Sequence, residues 1–246
     1  MIQRARGLLL VGILTLVIAL VVMFPARVAF SWASPPFMSM SGIQGTVWNG
    51  SAREFSTNGV YLRDLQWRVR PLQLLTGQLV YQVTGSPVSG FFDSEIAIRL
   101  GGRVTLRNLT ASVPLQMFER ASGISGLRGN ASLQFERLEL LNGGPSAMDG
   151  TLEASNVVVP PLARASLGGY RAEFFTQNNG IVGSVEDTDG VYDLAGSLQI
   201  SNDRSYQFLG KVMAKPETSA ELKQKLDALL PADEAGRKEL RFDGVY

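Results

Sequence analysis

The chain divides by the period of its apolar positions. Residues 7–24 (GLLLVGILTLVIALVVMF) carry no charge and are apolar on every side. They therefore lack the one-sided stripe of a helix packed on a soluble core. At ~1.5 Å per residue this run makes about 27 Å of helix, close to the hydrocarbon thickness of a bilayer. The expected anchor is built from Gly7, Leu8, Leu9, Leu10, Val11, Gly12, Ile13, Leu14, Leu16, Val17, Ile18, Ala19, Leu20, Val21, Val22, Met23 and Phe24.

Beyond it the period is two. Tyr192, Leu194, Leu198 and Ile200 alternate with Asp193, Ser197, Gln199 and Ser201, and Val104 and Leu106 alternate with Arg103, Thr105 and Arg107. Tyr206, Phe208 and Val212 continue the pattern after a hairpin turn at Asn202-Asp203. Similar segments occupy 43–48, 60–69, 78–84, 91–99, 147–157, 170–176 and 180–186, bounded by Gly, Asn-Gly and Asp-Gly turn signals. In 131–140 the apolar set moves from Leu133 and Phe135 to Leu138 and Leu140, which predicts a bulge or a change of side near Glu136-Arg137. The fold class expected is mainly β: a Gly-rich antiparallel sheet, open and curved or a sandwich, with one dry face and one wet face. Two short helices interrupt it. One covers 114–121; the other covers 218–229, where Leu222, Leu226, Leu229 and Leu230 form a stripe that Thr218 or Ser219 caps and Pro231 ends.

The flanks orient the chain. Arg4 and Arg6 precede the apolar run and Arg27 follows it, so the N-terminus is expected in the cytoplasm and the bulk across the membrane. A cleaved signal peptide fits less well, because the run is longer than such a segment and the small-x-small site Ser31-Trp32-Ala33 lies well beyond its end. The expected organisation is a tip at 1–6, a single transmembrane helix at 7–26, a periplasmic tether at 27–41, and a periplasmic β domain at 42–246; the stretch from Trp32 to Gly42 reads as extended, with Trp32 at the interface. All of the lysines fall between 211 and 238, which reads as a solvated, more helical C-terminal stretch.

Composition narrows the chemistry. With no His and no Cys there is no Ser-His-Asp or Cys-His nucleophile, no imidazole or thiolate metal site and no disulfide. Carboxylate-only and Ser-Lys mechanisms and a hard-cation site survive. Against 22 acidic residues stand 23 basic ones, and two of those, Arg4 and Arg6, belong to the tip. That balance argues against nucleic acid as a partner. The 186–190 stretch (EDTDG) lacks the later acidic ligand of a calcium loop and reads as an exposed turn. The Gly-Gly pairs at 101–102, 143–144 and 168–169 lack a phosphate loop's Lys-Ser/Thr, the Ser-containing stretch 85–90 fails the nucleophile-elbow spacing, and Ser219 and Lys223 are one residue too far apart. No catalytic, cofactor-binding or metal-binding residue is assigned, and an enzyme is not expected.

The informative stretch is 45–79. Trp48 is expected to end a short strand before a turn at Asn49-Gly50, with the chain returning through Ala52 and Phe55 to a second turn at Asn58-Gly59. Leu65, Trp67 and Val69 then share a strand face, Pro71 ends that strand, and Leu72, Leu74 and Leu75 pack a turn before Gly77. The spaced residues G-T-V-W-N-G-x-A (45–52) and L-x-W-x-V-x-P-x-x-L-L-x-G-x-L (65–79) resemble the signature of the type II secretion system protein N family. On that resemblance Gly45, Thr46, Trp48, Gly50, Trp67, Pro71, Leu74, Leu75 and Gly77 are structural motif residues. It implies an accessory inner-membrane component of the machine that moves folded proteins across the outer membrane. Its partners would be the inner membrane and other secretion subunits, and its role structural rather than catalytic. The alternative is a module similar to AsmA-like periplasmic proteins, with phospholipid held against the apolar face.

Overall fold

Period-two alternation becomes one long meander. The computed structural model describes residues 2–33, 38–57, 60–74, 77–87, 89–99, 102–119, 123–141, 143–229 and 237–245. Helices α1 (Ile2–Val22) and α2 (Ala26–Ala33) lead into strands β1 (Met38–Ser41), β2 (Gln44–Gly45), β3 (Asn49–Thr57) and β4 (Val60–Val69). The one-turn helix α3 (Pro71–Leu74) precedes β5 (Leu79–Pro87), β6 (Phe91–Ile98), β7 (Val104–Pro114), β8 (Arg128–Leu141), β9 (Gly144–Val158), β10 (Tyr170–Gln177), β11 (Gly180–Asp187), β12 (Tyr192–Ser201) and β13 (Ser205–Ala214). Helix α4 (Ala220–Leu229) and strand β14 (Lys238–Val245) complete the order. From β3 onward each strand pairs with its sequence neighbour in a single 14-stranded sheet, and β1 and β2 both lie along the outer edge of β3.

One face of this sheet is apolar across its width. A single row of cross-strand partners runs Leu109, Phe135, Gly150, Phe174, Gly183, Leu198, Phe208 and Phe242. Glycine stands where an aromatic ring lies across the neighbouring strand: a Cβ on Gly183 would sit 3.0 Å from the Phe174 ring. The other face carries, in the next row, Thr110, Gln134, Thr151 and Glu173. The expected slip is present, as a register shift between Phe135 and Arg137 where β8 meets β9. Asn108, its neighbour on β7, has φ 48, so both strands re-phase together and Leu106 and Leu138 stay on the apolar side with Leu109 and Phe135.

The connections differ between the two ends of the strands. At the end near α1 they are short: 70–78, 99–103, 142–143, 178–179 and 202–204. At the far end 115–127, 159–169 and 215–237 are long, and the described parts of each pack on the apolar face. Leu115 and Leu127 are buried with Val113 and Ala131, and Leu222 and Leu226 of α4 are buried with Ala163, Leu167, Tyr192 and Val212. Leu222 and Leu226 of the α4 stripe thus face the core as their spacing predicts, whereas Leu229 is exposed and Leu230 lies outside the described residues.

Several local expectations change. The tether is not a free leader: Trp32 and Ala33 end the helix Ala26–Ala33, and the extended segment Met38–Ser41 pairs with β3. Of 43–48 only Gln44–Gly45 forms strand, and Asn49 and Gly50 begin β3 rather than a turn. The turn lies two residues earlier, at Val47-Trp48, where the Thr46 N–H donates to the Asn49 carbonyl at 2.9 Å. The expected helix at 114–121 starts later and is a 3₁₀ turn at Leu115–Phe118, because Pro114, extended at ψ 138, still pairs with Asn130 as the last residue of β7. The C-terminal stretch ends in strand β14, not helix: Lys238–Val245 pairs with β13 along its length, and Lys238 at its start is buried and ion-paired with Asp227 of α4 at 3.0 Å. Asn58-Gly59 lies outside the described residues.

Candidate functional site at the helix–sheet junction

Residues 45–50 and Trp67 build a clamp that ties the first helix to the sheet. Gly45 has φ 83, and a Cβ there would meet the Asn49 carbonyl oxygen at 2.5 Å, so only glycine turns the chain at this point. The Thr46 hydroxyl accepts the backbone N–H groups of Trp48 at 3.3 Å and Asn49 at 3.2 Å, which closes the turn. Gly50 opens β3 opposite Trp67, and a Cβ on it would lie 2.5 Å from the indole ring. The Trp67 indole N–H donates to the Thr46 carbonyl at 3.1 Å. One tryptophan is thus seated on a glycine and bonded back to the turn.

The second tryptophan faces the helix. The Trp48 indole N–H donates to the Val21 carbonyl at 2.7 Å, in the last turn of α1, where that carbonyl also accepts the longer bond from the Phe24 N–H at 3.3 Å. Beside it the Val47 N–H donates to the Phe24 carbonyl at 3.0 Å, and Pro25 and Thr46 form an isolated β-bridge. The Trp48 carbonyl in turn accepts the Val69 N–H at 2.7 Å, so the contact passes straight into β4. Val17, Leu20, Val21, Phe24, Val47 and Trp48 line a wholly apolar hollow of about 270 Å³ at this corner. Ala26 is buried against the same corner, while Trp32, near the end of α2, is exposed with its ring 5.7 Å from that of Phe24.

A cluster of titratable side chains with shifted pKa sits at the far end of the sheet. Burial pushes the Asp187 carboxyl up, but the Lys215 ammonium and the Leu194 N–H outweigh it and hold the group below its ordinary value. The hydrogen bond to Asp187 raises Lys215 in return. Burial, with Asp187 nearby, pushes the Tyr170 hydroxyl up to about 12, and it stays neutral as it donates to the Leu167 carbonyl. Tyr192 donates to the Leu222 carbonyl of α4 at 3.1 Å, and Thr218 donates to the Val191 carbonyl. The 186–190 stretch is therefore partly committed to fastening α4. Among the described residues no group of three acidic side chains gathers as a cation site.

The match to known proteins covers the sheet and the clamp together. Residues 36–241 fit the family model described as type II secretion system (T2SS), protein N. The chain belongs to that family. It is similar to the type II secretion system protein N of Pectobacterium carotovorum subsp. carotovorum, at 23% identity over 89% of each chain. It is also similar to that of Vibrio cholerae, at 24% identity over 98% of this chain and 99% of the relative, and to that of Aeromonas hydrophila, at 21% over 85% of each. No solved structure matches it.

Within this protein N chain the motif residues separate into two groups. Gly45, Thr46, Trp48, Gly50 and Trp67 meet in the clamp. Pro71 begins α3, at the end of β4, and Gly77 lies in a turn with φ 72, the left-handed region that favours glycine. The Leu74 side chain and Leu75 lie outside what is described. Of the expected anchor, Val11 to Met23 is described and its large apolar side chains are exposed, whereas the side chains of Gly7, Leu8, Leu9 and Leu10 lie outside the described set. Among the described residues no helix is long and apolar enough to cross a membrane. Periodicity did not single out Val21, Phe24 and Val47, since two of them act through backbone carbonyls and the third through its N–H. The one local signal was Phe24-Pro25, a natural place for the helix to end.

Proposed function

We propose that this chain is a non-catalytic, single-pass inner-membrane component of the type II secretion machinery, with α1 in the bilayer, the N-terminus in the cytoplasm and the sheet in the periplasm. The observation that carries the reading is the clamp: family-motif residues join an apolar helix, exposed on every described side, to the whole β-sheet. A surface of that kind suits lipid better than water. Fixing the helix to the sheet gives the sheet a set position next to the membrane, where its polar face and its free edge strand β14 can engage other secretion subunits. Such a role is one of scaffolding or assembly.

The test is genetic and biochemical. In a strain lacking the gene, exported enzymes should accumulate in the periplasm, and the intact chain should restore their release. Normal external levels in that strain would remove the secretion role. Replacing residues 1–24 with a cleaved signal should abolish rescue; full rescue would remove the anchor. The lipid-carrying alternative is less favoured, because two of the hollows on the sheet, about 720 and 580 Å³, are lined chiefly by polar-face residues such as Thr110, Gln134, Glu173, Gln66 and Gln82.

A further inference from the structure

The two ends of the strands carry different charge. At the end near α1 the connections between strands hold Arg70, Arg99, Arg103 and Arg204 against a single acidic residue, Asp203. Exposed Arg27 of α2 stands beside the same end. The far-end connections hold six basic and seven acidic residues and are balanced. Arg70 is spent on Glu95 at 2.8 Å and Arg103 on Glu139 at 3.8 Å. Arg27, Arg99 and Arg204 make no ion pair among the described residues and are exposed. Exposed Trp32, an amphipathic ring with no core to fill, adds a side chain suited to a headgroup layer.

We infer that this rim is a surface for anionic phospholipid headgroups, and that it holds the sheet down on the bilayer from which α1 emerges. The inference rests on the reading of α1 as a membrane anchor. The clamp fixes α1 to β2, β3 and β4, and Arg99 and Arg103 lie between β6 and β7, roughly 15–20 Å away at ~4.8 Å per strand. A helix exit and a cationic rim at one end of a sheet place both against the same surface. Anionic headgroups supply the opposite charge there, and guanidinium groups bind phosphate through paired N–H donors. Attraction of this kind is worth about a factor of five per basic residue near the surface, and salt screens it.

The chain has no cysteine, so single-cysteine variants can be spin-labelled without background. The full chain would carry a nitroxide at Leu14→Cys in α1, Ile98→Cys at the rim or Ser89→Cys at the far end. It would be reconstituted in bilayers of phosphatidylcholine alone or with phosphatidylglycerol. Accessibility to oxygen and to an aqueous nickel complex reads depth. The label at 14 should lie in hydrocarbon in both bilayers and the label at 89 in water in both. The label at 98 should move to headgroup depth only in the anionic bilayer, and return to water in about 0.5 M salt. Arg27→Gln with Arg99→Gln should lower the surface-bound to free ratio of that label roughly 25-fold, leaving the label at 14 unchanged. A label at 98 that stays in water while 14 is deep overturns the rim and spares the anchor. Equal depth at 98 in both bilayers, or no response to the double variant, overturns the electrostatic assignment. Water around position 14 overturns the anchor, and the rim with it.

Discussion

The sheet is fastened differently at its two ends. Near α1 it is held by shape: two indoles, two glycines and a threonine, bonded mostly through backbone carbonyls and N–H groups, with no titratable side chain in the set. At the far end it is closed by long connections and α4, which rest on Leu222 and Leu226 and are pinned by Asp187–Lys215, Asp227–Lys238 and the Tyr192 hydroxyl. The difference teaches where rigidity and adjustability reside. A turn locked by close approach has one arrangement, whereas a cover fastened by ion pairs can loosen with pH or salt.

The contrast can be tested from its strongest element down. Trp67→Ala should cost about 3 kcal/mol or more, since it empties the space over Gly50 and frees the Thr46 carbonyl. Denaturant unfolding of the full chain in detergent would check it, and a loss below 1 kcal/mol would mean the near end is not held by packing. Leu222→Ala should cost about 2–3 kcal/mol, with amide exchange quickening in β12 and β13 and unchanged in β3 and β4. Exchange rising equally at both ends would erase the distinction. Trp48→Phe keeps the ring but loses the bond to the Val21 carbonyl, a loss of about 1 kcal/mol. Its signature should be a broader distance distribution between labels at Leu14→Cys and Glu54→Cys, not a weaker sheet.

The smallest effect is that of pH. The carboxyl of Asp187 is held below its ordinary value when folded, so its contribution is complete above the ordinary carboxylate range and fades as pH falls through the lowered value. Lys215 is raised, so its share is complete below the ordinary lysine range and fades as pH climbs through the raised value. Acidification should therefore release amide protection around α4 and β12 before it touches the clamp. Asp187→Asn should remove that acid sensitivity; an unchanged acid profile would show that the pair is not the fastening.

What the sequence discloses follows from the range of the interaction. Alternation is local, so most strands, the α4 stripe and the slip at Glu136-Arg137 are legible before any coordinates. The shared face of Leu65, Trp67 and Val69 is legible for the same reason, and Leu65 and Val69 are buried in the sheet. The clamp was legible only as a motif. Asn49-Gly50 has the signature of a turn, yet Gly50 is needed because a ring seventeen positions later lies on it. Strand β14 was misread because its charges look solvated, and only α4 reveals that Asp227 waits for Lys238. The helix Ala26–Ala33, which takes in the start of the expected tether, is hidden in the sequence for a similar reason. Ala26 is buried against the sheet corner, and that packing favours a helical turn that composition does not announce.

The neighbour-to-neighbour order of the strands has a consequence for biosynthesis. Because β3 pairs with β4, β4 with β5 and so on to β14, no strand waits for a distant partner. Loop-closure costs stay small, and each hairpin can join as soon as its second half is made. The clamp needs nothing beyond Val69, so the corner that grips α1 can set while most of the chain is still being synthesised. The sheet then grows outward from that corner like a zip, and the α4 cover and β14 are the last pieces to close.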